Sequence, residues 1–181
     1  MVFIHLFCMV NQLLVEALKT CQAIQFGHFV LTSGAVSDYY IDIKKASTHP
    51  KTLKLIASEM AAYIADCDLI AGMELGAVPL AVALSLQTDV PYVIIRKEQR
   101  QHGTGKLIEG GDVNGKNVMI VEDVTTSGGS VIKSINIIRD HKGKISRVIS
   151  VVDRECGADE LIANHQVNFT PLIRVSDIID K

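Results

Sequence analysis

The sequence predicts an α/β protein: a mainly parallel sheet flanked by helices, preceded by a small N-terminal cap of two strands. Three observations lead there. Short runs rich in Val and Ile recur along the chain and are apolar without alternation, as strands covered on both faces are. Helical patterns stand between them, and that alternation implies right-handed crossovers. A chain of 181 residues, 48% hydrophobic and 21% charged, is long enough to bury one core.

The elements follow in chain order. The opening MVFIHLFCMV (1–10) is apolar, yet it lacks a basic first segment and a small-residue cleavage pattern. It is also about half the roughly 20 residues of a membrane span. No targeting segment is read from it, and Met9 offers a second start. VNQLLVEALKTCQAI (10–24) reads as an amphipathic first helix with Leu13, Ala17 and Leu18 on one side. FGHFVLTSGAVSDYYIDI (26–43) reads as two strands around a Ser-Gly turn, the cap. Residues 50–65 form a helix with Leu53, Ile56, Met60 and Ile64 on one stripe and Pro50 suited to its first turn. DLIAGM (68–73), PYVIIR (91–96), KNVMIVED (116–123), SRVISVVD (146–153) and VNFTPLI (167–173) are the strands of the main sheet. Helices at 78–86, 129–140 and 157–164 connect them. The stretch 97–115, KEQRQHGTGKLIEGGDVNG, is polar, Gly-rich and without apolar period. A long loop inside a compact domain is usually functional, often a lid.

Composition excludes several classes of function. A net charge of −2 gives no electrostatic case for nucleic acid or an anionic membrane. Cys8, Cys21, Cys67 and Cys156 are scattered, with no CxxC pair and no His at ligand spacing. They read as reduced thiols of a reducing cytosol rather than as a disulfide framework or a zinc site.

The chemistry concentrates in VMIVEDVTTSGGSVIKSI (118–135). A buried strand ends in Glu122 and Asp123, at the carboxyl edge where parallel sheets bind ligands. Thr125, Thr126, Ser127, Gly128 and Gly129 then lead into a helix, so their backbone N–H groups suit a phosphate dianion, with the hydroxyls of Thr125, Thr126 and Ser130 as further donors. The carboxylates offer acceptors for vicinal hydroxyls, so a pentose phosphate fits both halves of the motif. An ordinary helix N-cap is the plainer reading, but a cap needs one such residue rather than this whole run. Neither GxxxxGK[ST] nor GxGxxG is present.

VEDVTTSGGS resembles the phosphoribosyl pyrophosphate (PRPP) signature of type I phosphoribosyltransferases. After Met9 the resemblance is to the orotate phosphoribosyltransferase family over nearly the whole chain. FGHFVLTSGAVSDYYIDI is similar to its hood, RKEQRQHGTGKLIEG to its mobile catalytic loop, and VVDRECGADELI to its DRxxG segment near the orotate pocket. The resemblance implies one phosphoribosyltransferase domain over 1–181, with a hood over roughly 9–45 and the catalytic loop over roughly 97–115. It implies transfer of the 5-phosphoribosyl group from PRPP to orotate in pyrimidine synthesis, with Mg²⁺ held mainly through PRPP. It further implies a cytoplasmic homodimer with shared active sites and with no nucleic-acid or membrane partner.

Carried over residue by residue, Arg96, Lys97, Arg100 and His102 handle the pyrophosphate, some of them in the neighbouring subunit's site. PRPP also contacts Glu122, Asp123, Val124, Thr125, Thr126, Ser127, Gly128, Gly129 and Ser130, and orotate contacts Thr126 and Arg154. The catalytic roles fall to Lys97, His102 and Asp123. Many members have Lys where Thr32 and Arg100 stand, and some have Lys or Thr where Gly76 stands. A purine phosphoribosyltransferase would share the phosphate loop but need neither the basic loop of 96–102 nor an arginine like Arg154. A PRPP-sensing regulator of the same fold should show a basic face or an added DNA-binding segment, and this chain shows neither.

Overall fold

The computed structural model describes residues 12–30, 36–98 and 106–179. The first helix, α1 (12–20), ends where Gln22 takes a positive φ of 58° and the chain turns back into strand β1 (Ile24–Val30). Its buried face is Leu14, Val15 and Leu18, so Leu18 faces the core as predicted whereas Leu13 is 59% exposed. β1 pairs antiparallel with β2 (Val36–Ile41) in a separate two-stranded sheet. The Ser33-Gly34 turn and Thr32 lie outside the described residues.

Two helices follow. Asp42 caps the short α2 (Ile43–Ser47) by accepting the Lys44 N–H. α3 (Pro50–Ala61) begins at the proline, as predicted, but ends four residues before position 65. The main sheet comprises β3 (Leu69–Met73), β4 (Tyr92–Ile95), β5 (Ile108–Glu109), β6 (Asn117–Thr125), β7 (Lys144–Asp153) and β8 (Phe169–Arg174). Its order is β5-β4-β3-β6-β7-β8, parallel throughout except for β5, which pairs antiparallel with β4. β5 lies inside the stretch read from sequence as loop.

The crossovers are α4 (Val78–Thr88), α5 (Gly129–Asp140) and α6 (Ala158–Asn164), and α7 (Ser176–Ile179) follows β8. Gly157 caps α6 rather than opening it, at φ +95°. The unbroken apolar runs of the sheet have a direct cause. Met119 and Val121 of β6 enter a core with α1, α3 and α4, while Val118 and Ile120 enter a second core with α5 and α6. Burying each such large side chain stabilises the fold by about 1.5–3 kcal/mol. β3 connects outward to β4 and β6 outward to β7, so strand order reverses between β3 and β6. Ligands bind beyond the carboxyl ends of the strands at such a reversal.

Candidate active site

Four chain segments meet beyond those carboxyl ends: residues 74–77 after β3, 96–98 after β4, 126–128 after β6, and 154–157 after β7. Two adjoining cavities lie among the first three of these and share Glu122, Val124 and Ser130. The smaller, about 190 Å³, is lined by the run from Val124 to Val131. Here the chain turns through Gly128, whose φ of +85° suits glycine and whose added Cβ would lie 3.3 Å from Cα of Ala158. Thr126, Ser127 and Gly129 are exposed, and α5 begins directly beyond them, a setting in which free N–H groups favour a phosphate.

The larger cavity, about 300 Å³, brings Lys44, Gly76, Lys97, Glu122 and Asp123 together. The Asp123 carboxylate accepts the Val124 N–H at 2.8 Å through Oδ1, and its Oδ2 lies over Gly76 so closely that a Cβ there would be 1.9 Å away. Gly76 therefore makes room for the acid. Glu122 Oε1 accepts the Asp123 N–H at 3.1 Å. Burial first, then the hydrogen bond and charge repulsion of Asp123, push the Glu122 carboxyl up to about 8. A buried carboxyl held neutral beside an ionisable one marks a place prepared for positive charge or for hydroxyl donors.

Thr125 departs from its predicted part. Its hydroxyl is buried and donates to Asp153 Oδ1 at 2.9 Å across the β6–β7 pair, so it offers no donor to the phosphate side. Asp153 also meets Arg174 at 3.3 Å, and Arg174 in turn meets Asp159 at 2.6 Å. Burial raises the Asp153 carboxyl, and the Thr125 hydrogen bond opposes that rise. With Asp153 committed to Arg174, Arg154 makes no ion pair among the described residues. Its guanidinium instead lies over the Tyr39 ring of β2, 5.1 Å from the centroid, and its buried Nε has no hydrogen-bond partner among the described residues. The Arg154 N–H donates to the Thr125 carbonyl at 2.9 Å, which joins this segment to the loop before α5.

Of the predicted basic residues, Lys97 lines the larger cavity. Arg96 is turned toward Glu74, 3.8 Å from its carboxylate. Arg100 and His102 lie outside the described residues. The sequence reading passed over Lys44, whose Nζ stands 2.9 Å from Asp42. The Asp42 hydrogen bond is the main cause that raises the Lys44 ammonium, and Asp123 adds a smaller attraction. The signal was available in the Lys44-Lys45 pair directly after the hood motif.

The chain has counterparts among known proteins. Residues 44–173 match the phosphoribosyl transferase domain family. An orotate phosphoribosyltransferase of Pyrococcus abyssi is 50% identical over 171 residues, which cover 92% of this chain and 94% of that protein. The crystal structure of orotate phosphoribosyltransferase from Aeropyrum pernix superposes with a TM-score of 0.84 at 30% identity, covering 92% of this chain and 96% of that one. The Mycobacterium tuberculosis orotate phosphoribosyltransferase in complex with PRPP superposes with a TM-score of 0.78 at 29% identity, covering 93% and 98%. The match to the domain family and the identity shared with these enzymes place the chain among the orotate phosphoribosyltransferases.

Proposed function

We infer that the reaction of this family, transfer of the 5-phosphoribosyl group from PRPP to orotate with release of pyrophosphate, runs in the paired cavities beside β6. One observation carries that placement: adjacent carboxylates and a loop of backbone N–H groups share one pair of adjoining cavities. The 5-phosphate occupies the smaller cavity, against the N–H groups of 126–129, with Ser130 at the boundary. The ribose hydroxyls face Glu122 and Asp123, and the pyrophosphate extends over Gly76 toward Lys44 and Lys97. Positive charge develops on the ribose as the C1′ bond breaks, so the barrier lies in stabilising charge on both fragments. Asp123 answers the ribose side and Lys97 the departing pyrophosphate. In this reading Arg96, Arg100 and His102 supply the remaining cationic and proton roles, and Thr126 and Arg154 hold orotate, the latter through its carboxylate.

Mg²⁺ fits this donor set. Glu122 and Asp123 provide hard oxygen ligands, and no group of three His, Cys, Asp or Glu among the described residues forms a cage by itself. In this reading the ion would be held mainly through PRPP, where it would neutralise phosphate charge. We read 1–181 as one phosphoribosyltransferase domain, acting as a cytoplasmic homodimer that shares residues of the 96–102 segment across its interface. Its partners are PRPP and orotate, and neither nucleic acid nor membrane enters this reading. No helix among the described residues is long and apolar enough to cross a membrane. The test is loss of orotate absorbance with PRPP and Mg²⁺, against adenine, hypoxanthine and uracil. Turnover of a purine in place of orotate would overturn the base assignment.

A further inference from the structure

The geometry points to Glu74 and Lys133 as positioning residues that clamp the Lys97 peptide and so set where the Lys97 side chain meets the pyrophosphate. Both polar groups of that peptide are taken by side chains distant in sequence. Its N–H donates to Glu74 Oε1 at 2.8 Å, and its carbonyl accepts from the Lys133 ammonium. The same Glu74 carboxylate stands 3.8 Å from Arg96, so it holds two consecutive residues of the basic segment.

The origin of the two clamps gives the contact its meaning. Glu74 follows β3 and lines the larger cavity beside Gly76, whereas Lys133 stands on the second turn of α5, the helix that follows the proposed phosphate loop. Lys97 is thus tied to the elements at both ends of the proposed PRPP site. Charge-assisted contacts of this kind are stronger than neutral ones. Lys133 is exposed on its helix, and neither core cluster includes it, so packing does not explain its reach. This inference rests on the placement of pyrophosphate near Lys97 proposed above, but the clamp itself is readable without turnover.

The experiment uses the full chain and four variants. Glu74→Ala removes the acceptor and Glu74→Gln keeps it, while Lys133→Met removes the donor and Lys133→Arg keeps one. Amide exchange at Lys97, followed by NMR, reads the clamp directly. Steady-state kinetics read its effect on Lys97. We expect faster exchange in Glu74→Ala and Lys133→Met. The same two variants should lose roughly tenfold in kcat/KM for PRPP, the scale of one lost charge-assisted contact, with KM for orotate unchanged. Lys133→Arg should stay near wild type in both measurements, and Glu74→Gln, which keeps the acceptor but loses the charge facing Arg96, should fall between wild type and Glu74→Ala. Unchanged exchange in both truncated variants overturns the clamp, and faster exchange with kcat/KM for PRPP within twofold of wild type overturns its role. If Glu74→Ala fails to fold, Lys133→Met decides alone. A wild-type protein that binds PRPP but does not consume orotate would refute the activity and leave the exchange result to judge the clamp.

Discussion

The Arg154 guanidinium lies 5.1 Å from the ring centroid of Tyr39, so the residue expected to meet orotate spans from the end of β7 to the two-stranded cap. The adjacent Asp153 carboxylate is engaged by Thr125 and Arg174 rather than by Arg154. Arg154 is left with a fork presented beside an aromatic ring, where a planar carboxylate can be bound bidentately. Arg154→Ala should therefore lower kcat/KM for orotate by roughly tenfold to a hundredfold, the range for losing a hydrogen bond to a charged group. Arg154→Lys should fall between, and PRPP affinity measured by calorimetry should hold in both. Orotate efficiency within twofold of wild type in Arg154→Ala would remove it from the base site.

Asp123 and Lys97 face one cavity in this chain, and the mixed-dimer experiment asks whether Lys97 serves the neighbouring subunit's site instead of its own. Asp123→Asn and Lys97→Ala chains should each be inactive alone with the fold intact by circular dichroism. Mixed dimers should recover up to about half of wild-type activity if the sites are independent. Absence of recovery after verified subunit exchange would confine Lys97 to its own chain.

Lys44 makes a prediction of its own. It approaches the acids from α2, and its partner Asp42 holds it in place. Lys44→Ala should raise KM for PRPP by roughly tenfold and leave KM for orotate unmoved, while Lys44→Arg should restore most of the loss. Equal changes in both Michaelis constants would mean that Lys44 supports the cap rather than the pyrophosphate.

Glu122 couples the site to pH. Its carboxyl titrates near 8 in the folded protein against an ordinary 4.5, so the folded state holds a proton that the unfolded chain releases between those values. Stability of the ligand-free protein should therefore fall as pH rises from 4.5 to about 8 and level off beyond. Glu122→Gln should flatten that slope and melt higher than wild type at the alkaline end, while the two should match below 4.5. Parallel melting curves across the whole range would place the titration elsewhere.

The main-sheet strands and the acids at the end of β6 were legible because burial on both faces writes an unbroken Val/Ile run into a parallel strand. β5 left no such trace. Its Ile108 and Glu109 are held by backbone pairing with Ile95 and Ile94, which any side chains would allow. α2 is only five residues long, and its one signal is the Asp42 cap. The direction of the Thr125 hydroxyl depends on register, which sets Thr125 opposite Asp153, and sequence does not display register between distant strands. Glu74 and Lys133 were invisible for the same reason: they lie 23 and 36 residues from Lys97, and only the fold brings them to one peptide. Leu13 was a matter of phase, since a small rotation of a short helix exchanges its inner and outer leucines.

Gly128 has one further consequence. Its Cα stands where a side chain would run into Ala158, so the turn proposed to receive phosphate and the start of α6, just after the Arg154 segment, abut without intervening atoms. Two ligands held by abutting segments share a free energy of coupling, and thermodynamic linkage makes that coupling reciprocal. Whatever factor PRPP adds to the affinity for orotate, orotate must return to PRPP. A methyl group at position 128 would act on that shared factor as well as on phosphate binding, and would appear as lost cooperativity between the two substrates.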